Sequence, residues 1–147
     1  MEQNKIPNKK IVVEFNNESI INAVNEWIQN AEKALQKVCT DLHLEVLEYT
    51  AAPKFTGTNG KGCHEWILEF KKDPKDLQKF RYSFDQALKN LNSDYEAKRQ
   101  GDIALKSPII NQLPLGSFYL WMKNRQKLGG QHKVPRLSNN RDFVDSI

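Results

Sequence analysis

Between Glu18 and Phe70 the spacing of apolar residues switches from the period of a helix to that of strands, and a chain that does this lays a helix against a sheet. Ile20, Val24, Trp27, Ile28, Ala31, Leu35, Val38 and Leu42 recur three or four apart, with Glu, Asn, Gln and Lys between them. That spacing predicts one amphipathic helix over 18–42. Two β-rich runs follow, LEVLEYTAAPKF (44–55) and CHEWILEF (63–70), separated by TGTNGKG. Glycines and Asn59 form turns readily, so the two runs predict a hairpin. In its second strand His64, Trp66, Leu68 and Phe70 share one face, and Glu65, Ile67 and Glu69 share the other. Alternation of this kind predicts one buried face and one mostly wet face.

The rest of the chain extends the pattern. Residues 1–9 are polar and without period, which suits a flexible tail or the stub of a linker. KIVVEF (10–15) reads as a short strand. Asp73 and Pro74 read as the N-cap and first residue of a second helix, whose stripe is Leu77, Phe80, Phe84, Ala87, Leu88 and Leu91. SDYEAKRQGD (93–102) predicts a short charged helix stopped at Gly101. IALKSPIINQLP (103–114) predicts a strand that Pro108 confines to an edge. GSFYLWMKNRQ (116–126) reads as a helix with Phe118, Leu120, Trp121 and Met122 on or near its inner side, and NNRDFVDSI as a short helical end. The order is roughly β-α-β-β-α-α-β-α: an α+β fold with a small mixed sheet flanked by helices, in one domain over 10–147.

Composition removes several classes of function. With 147 residues, 39% of them hydrophobic, there is room for one core. No run is apolar enough for a membrane span, and the opening MEQNKIPNKK lacks the apolar centre of a signal peptide, so a soluble, intracellular and cytoplasmic protein is expected. Two cysteines, Cys39 and Cys63, make no disulfide framework. The formal charge of +4 is spread among 18 carboxylates and forms no basic stripe interleaved with aromatics, so nucleic acid is not an expected partner.

The chemical motifs are few. GTNGKG has neither the spacing nor the Ser/Thr of a phosphate loop. Cys39, His43, Cys63 and His64 are potential zinc ligands, but adjacent strand residues point to opposite faces, which sets Cys63 against His64, and no metal site is expected. No nucleophile elbow is present. Glu65, Glu69, Asp94 and Glu96 could pair as acid and base, although such carboxylates usually belong to solvated faces. There remains KLGGQHKVPRLS (127–138), where Gly129 and Gly130 permit close approach of the backbone to a ligand and Pro135 stiffens the far side of Lys133. It reads either as a solvated basic loop or as a device that brings a lysine to a phosphate or carboxylate.

Four stretches in order, EYTAAPKF…GCHEWILEF, LNSDYEAKRQGDIAL, LPLGSFYLWMK and KLGGQHKVPRLSN, closely resemble the C-terminal part of the Gretchen Hagen 3 family of auxin-responsive acyl-acid amido synthetases, its bacterial relatives in particular. The likeness runs from about residue 10 to the end. It implies an adenylate-forming ligase that activates a carboxylic acid with ATP and passes the acyl group to an amino acid. This chain would be its small mobile C-terminal domain, inactive alone. Its partners would be a large N-terminal adenylation domain holding ATP and magnesium, a small carboxylic acid and an amino acid. By position in QHKVPR, Lys133 resembles the lysine that the small domain inserts during adenylation, and Gly129, Gly130, Gln131, His132 and Arg136 would belong to its nucleotide loop. The residues alone leave another reading open, a free-standing non-catalytic module that binds a protein or an anionic ligand through the basic loop.

Overall fold

The structure is a computed structural model that describes residues 17–55, 62–102, 104–124, 134, 137 and 141–147, with side chains from Trp27 onward. The predicted strand over 10–15 and the turn over 56–61 lie outside the described residues. The first helix, α1 (Asn17–Leu42), ends where His43 takes a left-handed backbone and the Leu44 N–H bonds back to the Cys39 carbonyl. The hairpin follows as β1 (Glu45–Phe55) and β2 (Gly62–Lys72), antiparallel, with Ala51 opposite Trp66 and Tyr49 opposite Leu68.

Helix α2 (Leu77–Leu91) does not start at Asp73. Its N-cap is Asp76, whose carboxylate accepts from the Lys79 N–H at 3.1 Å. After leaving β2 the chain needs the intervening residues to climb from the sheet to the helical layer. Asn92 closes α2 and also caps α3 (Ser93–Arg99) by accepting from the Tyr95 N–H at 2.9 Å. A 3-10 turn, Gln100–Asp102, ends this pair, and Gly101 there has φ 65°, a conformation that glycine adopts without strain.

The third strand, β3 (Ile109–Leu113), pairs in parallel with β2, with Trp66 beside Ile110. The sheet order β1-β2-β3 puts β3 at an edge, and Pro108 stands just before it, where no ladder donor is needed. Two short helices finish the described chain, α4 (Ser117–Asn124) and α5 (Asp142–Ser146). The fold class agrees with that read from the sequence, and over the described residues the order of elements roughly matches.

Helices cover both faces of the sheet. On one, Ala31, Leu35 and Val38 of α1 and Phe80, Phe84 and Leu88 of α2 pack on Tyr49, Trp66, Leu68 and Phe70. Trp66 meets Phe84 edge-on at 4.9 Å and Phe70 meets Phe80 in the same way at 5.3 Å, the geometry that aromatic quadrupoles favour. A smaller cluster occupies the opposite face: Ala52 and Ile67 of the hairpin, Phe118 and Met122 of α4, Val134, and Val144 of α5. The face expected to be wet is therefore covered, and β2 is buried on both sides. Helix α4 also differs in phase from the expectation, because Phe118 and Met122 point inward while Leu120 is exposed.

Candidate functional site

Burial of the second face changes what its glutamates do. Glu69 is only 1% exposed, and its two carboxylate oxygens accept from the backbone N–H groups of Gly116 and Phe118, each at 2.9 Å. These donors sit at the start of α4, a helix with no acidic residue of its own in the first turn. The anion that its N-terminus favours is supplied from β2. Gly116 has φ +94°, the left-handed conformation that turns its N–H toward Glu69.

Glu65 is engaged in the same way. One oxygen accepts from Asn111 Nδ2 at 2.6 Å and the other from Arg141 Nη2 at 2.7 Å. Arg141 also reaches the Pro53 carbonyl at 3.2 Å and Asp145 at 2.8 Å. These contacts raise its pKa above the ordinary arginine value, the Glu65 hydrogen bond first and Asp145 after it. Glu65 and Glu69 are thus spent on joining α4, α5 and β3 to the hairpin. Asp94 and Glu96 lie exposed on the other layer, in the first turn of α3, so the four carboxylates do not converge on an acid–base site.

Of the basic stretch 127–138 only Val134 and Leu137 are described. Lys133, Gly129, Gly130, Gln131, His132 and Arg136 all lie outside the described residues. The residue after Lys133, Val134, is buried in the second cluster, and Leu137 bridges Ala51 in parallel along the outer edge of β1 while packing against the first cluster. Arg141 then fastens the return of the chain. The segment is held at Val134, Leu137 and Arg141 by buried contacts and charged hydrogen bonds.

A second polar cluster was not foreseen. Asp85 of α2 and Arg99 of α3 are both buried, joined by Nε to Oδ1 at 2.9 Å and by Nη2 to Oδ2 at 2.6 Å, a bidentate fork. The Tyr95 hydroxyl donates to Asp85 Oδ1 at 2.6 Å. Arg99 Nη1 bonds the Leu105 carbonyl at 3.1 Å and also meets Asp102. Burial alone would raise the Asp85 pKa. The hydrogen bonds from Arg99 and Tyr95 and the charges of Arg99 and Lys89 outweigh it and hold the carboxyl below its usual range. The cluster ties α2, α3 and the approach to β3 together. Tyr95 and Arg99 stand four apart in DYEAKR, which puts them on one helix face, and that spacing was the available signal.

The candidate ligands are dispersed. His64 lies against Trp27, with ring centroids 5.4 Å apart, and against Tyr95 at 6.4 Å; burial first, then the charge of Lys98, lower its pKa. Burial raises the pKa of both Cys39 and Cys63, which makes them poor nucleophiles at neutral pH. Among the described residues no three His, Cys, Asp or Glu side chains come together as a metal site. No described helix is long and apolar enough to cross a membrane.

A three-stranded mixed sheet between two helical layers is an α+β architecture that known proteins share. The model of the GH3 family C-terminal domain matches residues 29–142, and the chain belongs to that family. Two solved structures are similar in fold. A GH3.15 acyl acid amido synthetase aligns with TM-score 0.58 at 16% identity over 80% of this chain and 21% of its own. An AtGH3.15 acyl acid amido synthetase in complex with 2,4-DB aligns with TM-score 0.59 at 16% identity over 82% of this chain and 22% of its own. The chain therefore spans about one fifth of the length of these proteins. No curated protein matches it.

Proposed function

We propose that this chain is the small C-terminal domain of an ATP-dependent acyl-acid amido synthetase, of the bacterial kind, that acts in the cytoplasm together with a large N-terminal adenylation domain. The observation that carries this reading is the family match over 29–142, and the fold shared with two acyl acid amido synthetases supports it over a free-standing binding module. In the reaction a carboxylate oxygen of the acid attacks the α-phosphorus of ATP. The bond to the β-phosphate oxygen breaks, and pyrophosphate leaves. The amine of an amino acid then attacks the acyl carbon, AMP departs with the bonding electron pair, and the amine proton is released. Magnesium would accompany ATP on the large domain, since no group of described residues here fits it.

The part played by this chain is electrostatic. Lys133 brings a cation to the carboxylate and α-phosphate as negative charge gathers between them, and Gly129, Gly130, Gln131, His132 and Arg136 form the loop that carries it. The residue that follows it, Val134, is buried in the second cluster, and rotation of the whole domain would carry the loop from one half-reaction to the next. Acid-dependent exchange of pyrophosphate into ATP tests the assignment in the complete enzyme. Lys133→Ala depresses exchange while sparing amide formation from a supplied acyl-adenylate. Exchange at the wild-type rate would refute it.

A further inference from the structure

The outward faces of the helices differ in chemistry. On the first layer, the exposed positions of α1 from Glu32 to Asp41 are charged or polar, those of α3 are mostly so, and α2 exposes Tyr82 at 67% and Leu91 at 40% only singly, more than two turns apart. On the second layer, α4 and the turn before it expose Leu115 at 64%, Tyr119 at 58% and Leu120 at 56%. Tyr119 and Leu120 are adjacent on α4 and Leu115 lies in the turn just before it, so the three fall within six residues of chain. Phe118 and Met122 already fill the cluster beneath, so these three side chains add nothing to this domain's own core. Single exposed apolar residues are ordinary, whereas three within six residues, on one short helix and the turn that leads into it, call for a partner.

We infer that Leu115, Tyr119 and Leu120 form the surface against which the large adenylation domain rests, meeting an apolar patch on that domain. This deepens the functional reading given above and rests on it. Two observations select the occupant. The similar synthetases carry about four fifths of their length outside the region this chain matches, so a large body is available to cover the face. The patch also belongs to the layer in which Val134, the neighbour of Lys133, is buried. A domain that meets the segment around Val134 meets this layer, on the opposite face of the sheet from α1. The apolar contact supplies attraction without fixed partners, which suits a surface that must slide between two half-reactions.

Hydroxyl-radical footprinting read by mass spectrometry tests the surface, with Tyr82 of α2, 67% exposed on the first layer, as the internal reference. The chain alone and the complete enzyme are labelled in parallel with ATP and a carboxylic acid present. The expected result is a several-fold loss of labelling at Tyr119 and Leu120 in the complete enzyme, with Tyr82 unchanged. Equal labelling of Tyr119 in both forms overturns the inference, as does protection of Tyr82 with Tyr119 left open. Protection of Tyr119 in the chain alone on raising its concentration names a second copy as the occupant and overturns it too. The footprint does not depend on Lys133, so a Lys133→Ala enzyme with normal pyrophosphate exchange refutes the catalytic assignment and leaves the surface to be judged by the labelling.

Discussion

Replacing Glu69 by alanine should loosen a helix that lies 49 residues further along the chain. The carboxylate is almost fully buried, and both of its hydrogen bonds go to backbone donors at the start of α4. Its removal leaves the Phe118 N–H buried and unpaired, at about 1–3 kcal/mol. Gly116 is partly exposed, so water can meet its N–H and the loss there is small. Loss of the anion at a helix N-terminus adds about 0.3–2 kcal/mol. Together these give about 3 kcal/mol for Glu69→Ala. Glu69→Gln should lose about half as much, because the amide oxygen keeps one acceptor while its NH2 faces a donor.

Urea unfolding of the chain, followed by tryptophan fluorescence, reads the effect. With a slope of about 1–3 kcal/mol/M, the midpoint for Glu69→Ala should fall by about 1–3 M. Trp121 on α4 and Trp66 in the larger core can be followed separately as single-tryptophan variants, and Trp121 should respond first. Glu96→Ala, at an exposed site on α3, serves as the control and should shift stability by less than about 1 kcal/mol. If Glu69→Ala unfolds within about 0.5 kcal/mol of wild type, Glu69 behaves as a solvated surface carboxylate and the borrowed cap is wrong.

Two further substitutions test the first layer. Arg99→Met strips the buried Asp85 of its main partner and should destabilise the chain by about 3–5 kcal/mol in the same urea assay. Because Asp85 is held below its usual carboxylate range, its contribution is fully present above about pH 4 and is lost as pH falls through the lower folded value; Asp85→Asn should flatten that part of a stability–pH profile. His64 has a lowered pKa, so folding favours its neutral form. Its contribution is full above about pH 6.5 and is lost as pH falls from there toward the folded value, and His64→Phe should abolish that slope without changing stability at pH 8 by more than about 1.5 kcal/mol. A slope that survives His64→Phe would assign it to another group.

What the sequence revealed and what it hid separate along physical lines. The helix through Leu42 and the hairpin from Glu45 to Lys72 were legible because helical spacing, strand alternation and a glycine-rich turn all act between near neighbours. The start of α2 was misplaced because Asp73-Pro74 is itself a good helix opening, and the path from sheet to helical layer moves the cap to Asp76. In FYLWM every position is apolar, so pattern alone cannot fix the phase of α4; the fit of Phe118 and Met122 against Ile67 does. Glu69 was misread for a related reason. Alternation shows which residues share a face, while what covers that face depends on α4 and α5, which arrive much later in the chain. The signal for Lys133 was resemblance of motif, and Lys133 itself lies outside the described residues; what the structure adds is its neighbour Val134, buried where no local pattern placed it.

The two faces of β2 are held by different means, and that bears on how a lysine can be delivered. The first face is joined to α1 and α2 by a large aromatic and aliphatic core, which is short-ranged and tolerates no sliding without loss of many contacts. The second is joined by a smaller apolar cluster together with the Glu69 cap and the Glu65–Arg141 fork, which are directional and few. Such a layer opens locally at lower free energy than the larger core. Breaking these few bonds would leave the desolvated Glu69 facing the unmatched N–H groups of Gly116 and Phe118. Keeping them intact and rotating the domain as one body avoids that penalty. Glu65 and Glu69 are then what joins α4, α5 and β3 to the hairpin as one unit.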